Sequence, residues 1–145
     1  MTRRIAGFLL LTWLAATAAL EAKRAEEPPR VTVQHILIGF KRSVRGKELD
    51  RTKPEAQALA DELLKRAQAG EDFDALVKQY TDDRYPGIYV LTNTGAPISS
   101  NTMRRDSMVP AFGDVAFSLK VGEIGLARFS GATSPYGWHI IKRLE

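Results

Sequence analysis

Two short apolar runs, one near each end of the chain, constrain its fold more than any other sequence feature. The first covers residues 31–40 and the second residues 137–144, and both are rich in aliphatic and β-branched side chains typical of strands. The chain has two histidines, and each run carries one of them, His35 and His139. A buried imidazole needs a hydrogen-bond partner. If the two runs pair in one sheet, each histidine can supply that partner to the other.

Residues 52–70 carry the clearest helical pattern in the chain. Thr52-Lys53-Pro54-Glu55 is a capping box with proline in the first turn, and Gly70 is suited to end the helix. The apolar residues that follow the box at helical spacing are Ala56, Leu59, Ala60, Leu63, Leu64 and Ala67. The sequence therefore predicts an amphipathic helix with one buried face.

The remaining segments complete the order β-α-α-β-α-β-β. A basic loop at 41–51 follows the first strand, and the stretch 81–109 is broken by Gly, Pro, Asn and Ser. The other predicted elements are a helix starting near Glu71-Asp72 with Phe73, Leu76, Val77 and Tyr80 on its inner face, a strand at 88–91, a helix at 110–119, and strands at 124–129 and 137–144. This order predicts an α+β domain with a small, mostly antiparallel, four-stranded sheet.

The N-terminus has the pattern of a secretory signal. Met1-Thr2-Arg3-Arg4 is basic, residues 5–20 carry no charge, and Ala16-Thr17-Ala18 fits the small-x-small rule for cleavage. We expect a signal peptide at 1–18, a linker at 19–30 and one domain at 31–145. An uncleaved membrane anchor is the alternative, because the uncharged run is only slightly short for a bilayer span.

Charge and cysteine content exclude several function classes. The sequence contains no cysteine, which rules out a disulfide framework, thiolate chemistry and cysteine-ligated zinc. The formal net charge is +4, and its basic residues alternate with acidic ones along the chain. Such interleaving is typical of a solvated surface, so we expect no nucleic-acid partner.

Six local motifs follow one another along residues 31–144. They are Gln34-His35-Ile36-Leu37-Ile38, Ala69-Gly70-Glu71-Asp72-Phe73-Asp74-Ala75-Leu76-Val77, Tyr80-Thr81-Asp82-Asp83, Met108-Val109-Pro110-Ala111-Phe112, Ala116-Phe117-Ser118-Leu119-Lys120-Val121-Gly122-Glu123 and Tyr136-Gly137-Trp138-His139-Ile140-Ile141. In this order they resemble the parvulin family of peptidyl-prolyl cis-trans isomerases, in its bacterial exported branch.

The resemblance implies a parvulin-like fold of the FKBP-like superfold and an isomerase that acts on proline-containing polypeptides. Its implied catalytic residues are His35 and His139, paired on adjacent central strands, together with Asp83. Its implied substrate-binding residues are Met108 and Phe112 in the proline pocket, a hydroxyl at Ser134 that bonds the histidines, and Tyr136 at the rim. Rotation about an amide breaks no bond, so we expect no cofactor and no metal.

We further expect a monomer that assists folding of exported proteins in the periplasm or another extracytoplasmic space. Contact with a membrane is expected only if the N-terminal segment stays uncleaved. Ordinary structural roles are the competing interpretation: core residues for Met108 and Phe112, core histidines for the pair, and a turn cap for Asp83.

One segment departs from the family pattern. The usual Gly-Asp-Leu-Gly is replaced by Gly87-Ile88-Tyr89-Val90-Leu91-Thr92-Asn93, a longer loop then leads to Met108, and 131–133 add length before Tyr136. This change favours a second hypothesis, a parvulin-like peptide-binding module or chaperone with little or no isomerase activity.

Two other hypotheses concern ions. A metal site on both histidines lacks His-x-His or His-Glu-x-x-His spacing. The basic residues Lys41, Arg42, Arg45 and Lys47 resemble the loop that binds a phosphorylated residue in phosphate-directed members of the family. Charge runs of this kind are usually solvated, and an exported chain would seldom meet such a substrate.

Overall fold

A computed structural model describes residues 15–22 and 26–145. Residues 26–145 form three helices, five strands and one 3-10 turn. The helices are α1 (Lys53–Gln68), α2 (Phe73–Tyr80) and α3 (Pro110–Ser118), and the turn is Arg105–Ser107. The strands are β1 (Arg30–Ile38), β2 (Ile88–Thr92), β3 (Met103–Arg104), β4 (Ile124–Ala127) and β5 (Trp138–Arg143).

The five strands form one sheet in the order β3-β2-β1-β5-β4. The two runs at the ends of the chain pair directly, since β1 lies antiparallel to β5 with Leu37 opposite His139 and His35 opposite Ile141. The predicted α+β class and the adjacent strands for the two histidines are confirmed. The predicted strand number is one too low, because the sheet also contains β3.

The extra strand β3 pairs parallel with β2 at the edge of the sheet. It has two residues, Met103 and Arg104, and both are exposed. A strand this short has no room for the alternation of buried and exposed residues that identifies a strand in a sequence. The sheet is therefore mostly antiparallel, as expected, with one parallel pair at its edge.

One face of the sheet is covered by α1 and α2. Helix α1 begins at the predicted capping box, where the Thr52 side chain accepts from the Glu55 backbone and the Glu55 carboxylate accepts from the Thr52 backbone. Its buried residues are Ala56, Ala60, Leu63 and Ala67, which pack with Phe73, Leu76 and Val77 of α2 against Ile36, Ile38, Trp138 and Ile140 of the sheet. The predicted inner faces of both helices are confirmed.

The opposite face is covered by α3 and carries the histidines. Successive side chains of a strand point to opposite faces, so His35 shares its face with Val33 rather than with Ile36. Val33 belongs to a second core with residues of α3 and the neighbouring strands, namely Val31, Leu91, Phe112, Ala116, Phe117, Ala127 and Ile141. The site therefore lies between the sheet and the start of α3.

The N-terminal part of the chain contributes one helical segment at 15–22, and its residues are exposed. Among the described residues, no helix is long and apolar enough to cross a bilayer. The predicted signal at 1–18 falls largely outside the described residues. The predicted linker at 19–30 ends in contact with the domain, because residues 27 and 28 are only partly exposed.

Candidate active site

The two histidines meet in the middle of the sheet. Their Nδ1 atoms lie 3.3 Å apart, and their rings are nearly parallel, at 16° with centroids 5.5 Å apart. Both residues are buried, His35 to 2% exposure and His139 to 5%. Each imidazole is therefore the hydrogen-bond partner of the other, as the pairing of the two terminal strands predicted.

Asp83 and Tyr89 extend this pair into a chain of four polar groups. Asp83 Oδ2 lies 3.2 Å from His35 Nε2 and accepts a hydrogen bond from the Tyr89 hydroxyl at 3.0 Å. An ionised carboxylate only accepts, so His35 Nε2 carries a proton and donates to it. In a neutral His35 ring, Nδ1 is then the acceptor and His139 Nδ1 is the donor. The network thus assigns one tautomer to each ring.

The last atom of this chain, His139 Nε2, is buried and has no hydrogen-bond partner among the residues that the structure describes. With the tautomers assigned above, His139 Nε2 carries no proton, and its lone pair receives no hydrogen bond from the described residues. Protonation would turn it into an unsatisfied buried N–H beside a second imidazole, which is costly. Burial, and then the nearby His35, lower the pKa of His139 to about 3, while the charge of Asp83 opposes that shift.

The Asp83 carboxylate is held in its charged form. Its hydrogen bond with His35 lowers the pKa of Asp83 well below its usual range, against an opposing effect of partial burial. The backbone N–H of Arg84 and the Tyr89 hydroxyl lower it further. Partial burial and the neighbouring carboxylate raise the pKa of Tyr89, so that hydroxyl keeps its proton and stays a donor. At neutral pH the site thus presents one fixed negative charge.

A cavity of about 370 Å³ opens over this chain of polar groups. Phe112 is fully buried, and its ring stands edge-on to both imidazoles at centroid distances of 5.1 and 5.3 Å. The lining combines these polar groups with apolar walls, and its residues are His35, Leu37, Val44, Arg45, Asp83, Tyr89, Ser107, Met108, Val109, Phe112, Tyr136 and His139. A small apolar group such as a proline ring fits a pocket of this kind.

Gly87 allows the backbone to pass close to His35. The His35 N–H donates to the Gly87 carbonyl at 3.0 Å. A Cβ on Gly87 would lie 2.8 Å from the His35 carbonyl oxygen and 3.3 Å from its ring, and the residue has a φ of 67°. A side chain at this position would therefore displace His35, which explains why a glycine stands here.

The structure brings together every predicted site residue except Ser134. His35, Asp83, Met108, Phe112, Tyr136 and His139 all line the cavity. Tyr136 is 46% exposed and stands at the rim, as expected.

Ser134 has a different place from the one expected. Its hydroxyl is fully buried and donates to the Gly137 carbonyl at 2.9 Å, so the expected hydrogen bond to the histidines is wrong. The expectation depended on a position that follows extra residues in the loop. Ser134 instead shapes the turn before β5, where Gly137 packs so closely that a Cβ would lie 2.1 Å from the Ile38 carbonyl oxygen.

Asp82, the neighbour of Asp83, fixes the start of the basic loop. It is buried, accepts from the Gly39 N–H at 2.7 Å and forms an ion pair with Arg51. The two adjacent aspartates thus have separate tasks, one holding the loop and one lining the cavity. Lys41, Arg42, Arg45 and Lys47 of that loop are all exposed, and Arg45 lines the cavity.

Tyr89 also belongs to this network, although no sequence motif indicated it. It lies in the segment that departs from the family pattern, and the register of β2 on β1 places it opposite Val33, on the face of the histidines. Its ring contacts His35 at a centroid distance of 5.2 Å. The alternation of β2 would have shown which face it occupies, but only the pairing with β1 shows that it reaches Asp83.

A metal site would need several ligands at one point. In the described ranges, no group of three or more histidine, aspartate or glutamate side chains is arranged to hold a metal ion.

A family model for the PpiC-type peptidyl-prolyl isomerase domain matches residues 18–145 of this sequence. The chain belongs to this family. The match covers the whole domain described above, including the sheet, α3 and the cavity, and it confirms the family that the six motifs indicated.

Curated relatives of this PpiC-type domain are larger proteins. Chaperone SurA of Pseudomonas fluorescens is 33% identical over 138 residues, which is 95% of this chain and 27% of that protein. Foldase protein PrsA 1 of Lactobacillus johnsonii is 28% identical over 117 residues, which is 81% of this chain and 31% of that protein. The chain thus spans between a quarter and a third of the length of these relatives.

Two solved structures share the fold. Peptidyl-prolyl isomerase ESS1 from Candida albicans has a TM-score of 0.64 and 23% identity, with coverage of 91% of this chain and 75% of that one. The solution structure of TbPIN1 has a TM-score of 0.59 and 22% identity, with coverage of 81% and 98%. At these identities the likeness establishes the parvulin fold.

Proposed function

We propose that this chain catalyses cis-trans isomerisation of X–Pro bonds in exported polypeptides. The observation that carries the proposal is the continuous chain from His139 through His35 and Asp83 to Tyr89, which lies directly beneath an apolar cavity walled by Phe112. Membership of the PpiC-type family supports the same activity.

Isomerisation is a rotation and breaks no bond, so the protein only has to lower the barrier to that rotation. Amide resonance sets a barrier of about 18–20 kcal/mol to rotation, and uncatalysed X–Pro exchange takes roughly tens to hundreds of seconds. The planar amide is the more polar form and is better solvated by water than the twisted one. Phe112 and Met108 enclose the proline ring and exclude water from the bond, which lowers the cost of twisting.

The row of hydrogen-bonded polar groups acts on the carbonyl group of the substrate. Twisting removes conjugation with the nitrogen, so the carbonyl carbon becomes more electron-poor. The fixed charge of Asp83, held by His35 Nε2 and the Tyr89 hydroxyl, favours that state electrostatically. His35 and His139 orient the carboxylate and exchange no proton with the substrate. Catalysis therefore depends on the position of the charge.

The proposal includes export of this chain from the cytoplasm. The basic residues Arg3 and Arg4, the uncharged run at 5–20 and the cleavage pattern at 16–18 support it. The chain then works outside the cytoplasm, as a monomer, on unfolded or partly folded proteins that contain proline. It contacts a membrane only if the N-terminal segment is retained as an anchor.

A parvulin-like peptide-binding module is the second candidate. Asp83 is already engaged by two side-chain donors, which leaves it fewer lone pairs for a catalytic contact. The name of the relative from Pseudomonas fluorescens, a chaperone, is consistent with binding of polypeptides.

Refolding of a protein whose native state contains a cis proline tests the proposal. A catalytic amount of the chain should accelerate the slow, proline-limited phase, which otherwise lasts about 10–100 s at 25 °C. A binding module should instead leave that rate unchanged or slow it in proportion to its concentration.

For export, mass spectrometry of the protein from its host should find a mature N-terminus near Ala19, and a chain that begins at Met1 and needs detergent for extraction would favour the anchor.

A further inference from the structure

The short segment 27–30, which leads into β1 and includes its first residue and is called the flank below, lies against the segment that departs from the family pattern. The Asn93 backbone N–H donates to the Pro29 carbonyl at 2.9 Å, and its side-chain amide donates to the Pro28 carbonyl at 3.2 Å. Arg30 donates to the Ser99 hydroxyl at 2.7 Å. These contacts hold the loop between β2 and β3 onto the flank rather than onto the sheet alone.

The flank also forms an ion pair, between Glu27 and Arg105. Both side chains are almost withdrawn from water, with exposures of 10% and 12%. The guanidinium also donates to Asn93 Oδ1 at 3.0 Å and to Asp114 at 2.8 Å, and it stacks over the Phe117 ring at 4.8 Å. Arg105 is thus fixed by the flank, by the loop after β2 and by α3 together.

Arg105 also begins the turn that leads into the cavity. Its backbone carbonyl accepts from the Met108 N–H at 3.1 Å, which closes the turn Arg105–Ser107. Ser107 and Met108 both line the cavity, and α3 with Phe112 follows two residues later. The position of the Met108 wall therefore depends on a residue whose side chain is anchored outside the cavity, through Glu27.

We propose that Arg105 is a positioning residue for the Met108 wall and that Glu27 holds it in place, so that the flank is part of the proline-binding unit. The inference rests on the proposed function in one respect only, namely that the cavity binds a prolyl peptide. Neutralising Glu27 removes the buried partner of Arg105 and leaves this nearly buried cation with one carboxylate, that of the exposed Asp114. Arg105 then turns toward water, and the turn that carries Met108 moves with it.

Paired variants of the full chain test this proposal. Glu27→Gln removes one charge of the buried pair with little change of volume, and Arg105→Gln removes the other charge together with the guanidinium that stacks over Phe117. Glu26→Gln and Arg104→Gln are matched controls, because Glu26 is the exposed neighbour of Glu27, and Arg104 forms an exposed ion pair with Asp106. The probe is the tetrapeptide Ala-Ala-Pro-Phe. Its Kd is measured by NMR titration and its KM and kcat by exchange kinetics, with the folded fraction checked for each variant.

We expect Glu27→Gln and Arg105→Gln each to raise Kd and KM by about 2- to 30-fold, as changes outside a site commonly do, with a smaller effect on kcat. The double variant should raise Kd no more than the larger single change, because one anchor is lost in each case. The two controls should match the wild type. Melting temperatures that fall while Kd and KM stay at wild-type values would overturn the proposal, since they would show a merely structural pair. If the wild type binds the peptide without catalysing exchange, the proposed function fails, and the Kd values alone still decide on the flank.

Discussion

The hydroxyl of Tyr89 can be removed without disturbing its ring. Tyr89→Phe keeps the contact with His35 and deletes one of two side-chain hydrogen bonds to Asp83 Oδ2, at 3.0 Å. A hydrogen bond to a charged group contributes roughly 1.5–3 kcal/mol. Because the Asp83 side chain is 35% exposed, water replaces part of that contribution, and we reduce it to about 1 kcal/mol. If the hydroxyl orients the carboxylate in the transition state, kcat/KM should fall about fivefold.

Tyr85→Phe is the matched control for this change. The Tyr85 hydroxyl also donates to a carboxylate, that of Asp74 at 2.8 Å, but neither residue lines the cavity. Exchange rates of a prolyl peptide should therefore drop in the Tyr89 variant and stay at the wild-type level in the Tyr85 variant. The reasoning would be refuted if Tyr89→Phe kept the full rate, or if both variants lost the same share of it.

Three further predictions concern the histidines and the pocket. The free energy of unfolding should fall as pH drops from about 6.5 to about 3. The pKa of His139 is about 3 in the folded chain and 6.5 in the unfolded chain, so the unfolded chain binds more protons throughout that range. Denaturation curves should show a smaller fall of the free energy of unfolding in His139→Gln than in the wild type. His35→Gln and His139→Gln should each lower kcat by about tenfold, the effect of losing roughly 1.4 kcal/mol, and the double variant should cost less than the product; unchanged rates per folded molecule with a lower Tm would mark the pair as structural. Met108→Ala should raise KM about fivefold by removing about 1 kcal/mol of apolar contact, and an unchanged KM would place the proline ring elsewhere.

The elements that carry their own local signals could be predicted from the sequence. The capping box at Thr52 sets the start of α1, and the apolar spacing of Phe73, Leu76 and Val77 sets the buried face of α2. Helix α3 begins at Pro110 as expected. In each case the signal lies within a few consecutive residues, so the element can be recognised without knowing which distant segments it contacts.

What could not be predicted depends on contacts between distant segments. Tyr89 reaches Asp83 only because β2 pairs with β1 in one register. Strand β3 exists only because β2 is there to pair with it, and Ser134 turns to Gly137 because the loop before β5 folds back on itself. The ion pair between Glu27 and Arg105 joins residues 78 positions apart, and neither has a neighbour in sequence that indicates the other.

Exchange spectroscopy on one sample of wild-type chain with Ala-Ala-Pro-Phe tests the central claim most directly, because it reports binding and catalysis together. Rotation should be accelerated well above the buffer rate at catalytic concentrations of the chain, and the resonances of residues around Met108 and Phe112 should shift as peptide is added. Shifts at these residues with an exchange rate equal to that of buffer would contradict the account and identify the chain as a peptide-binding module.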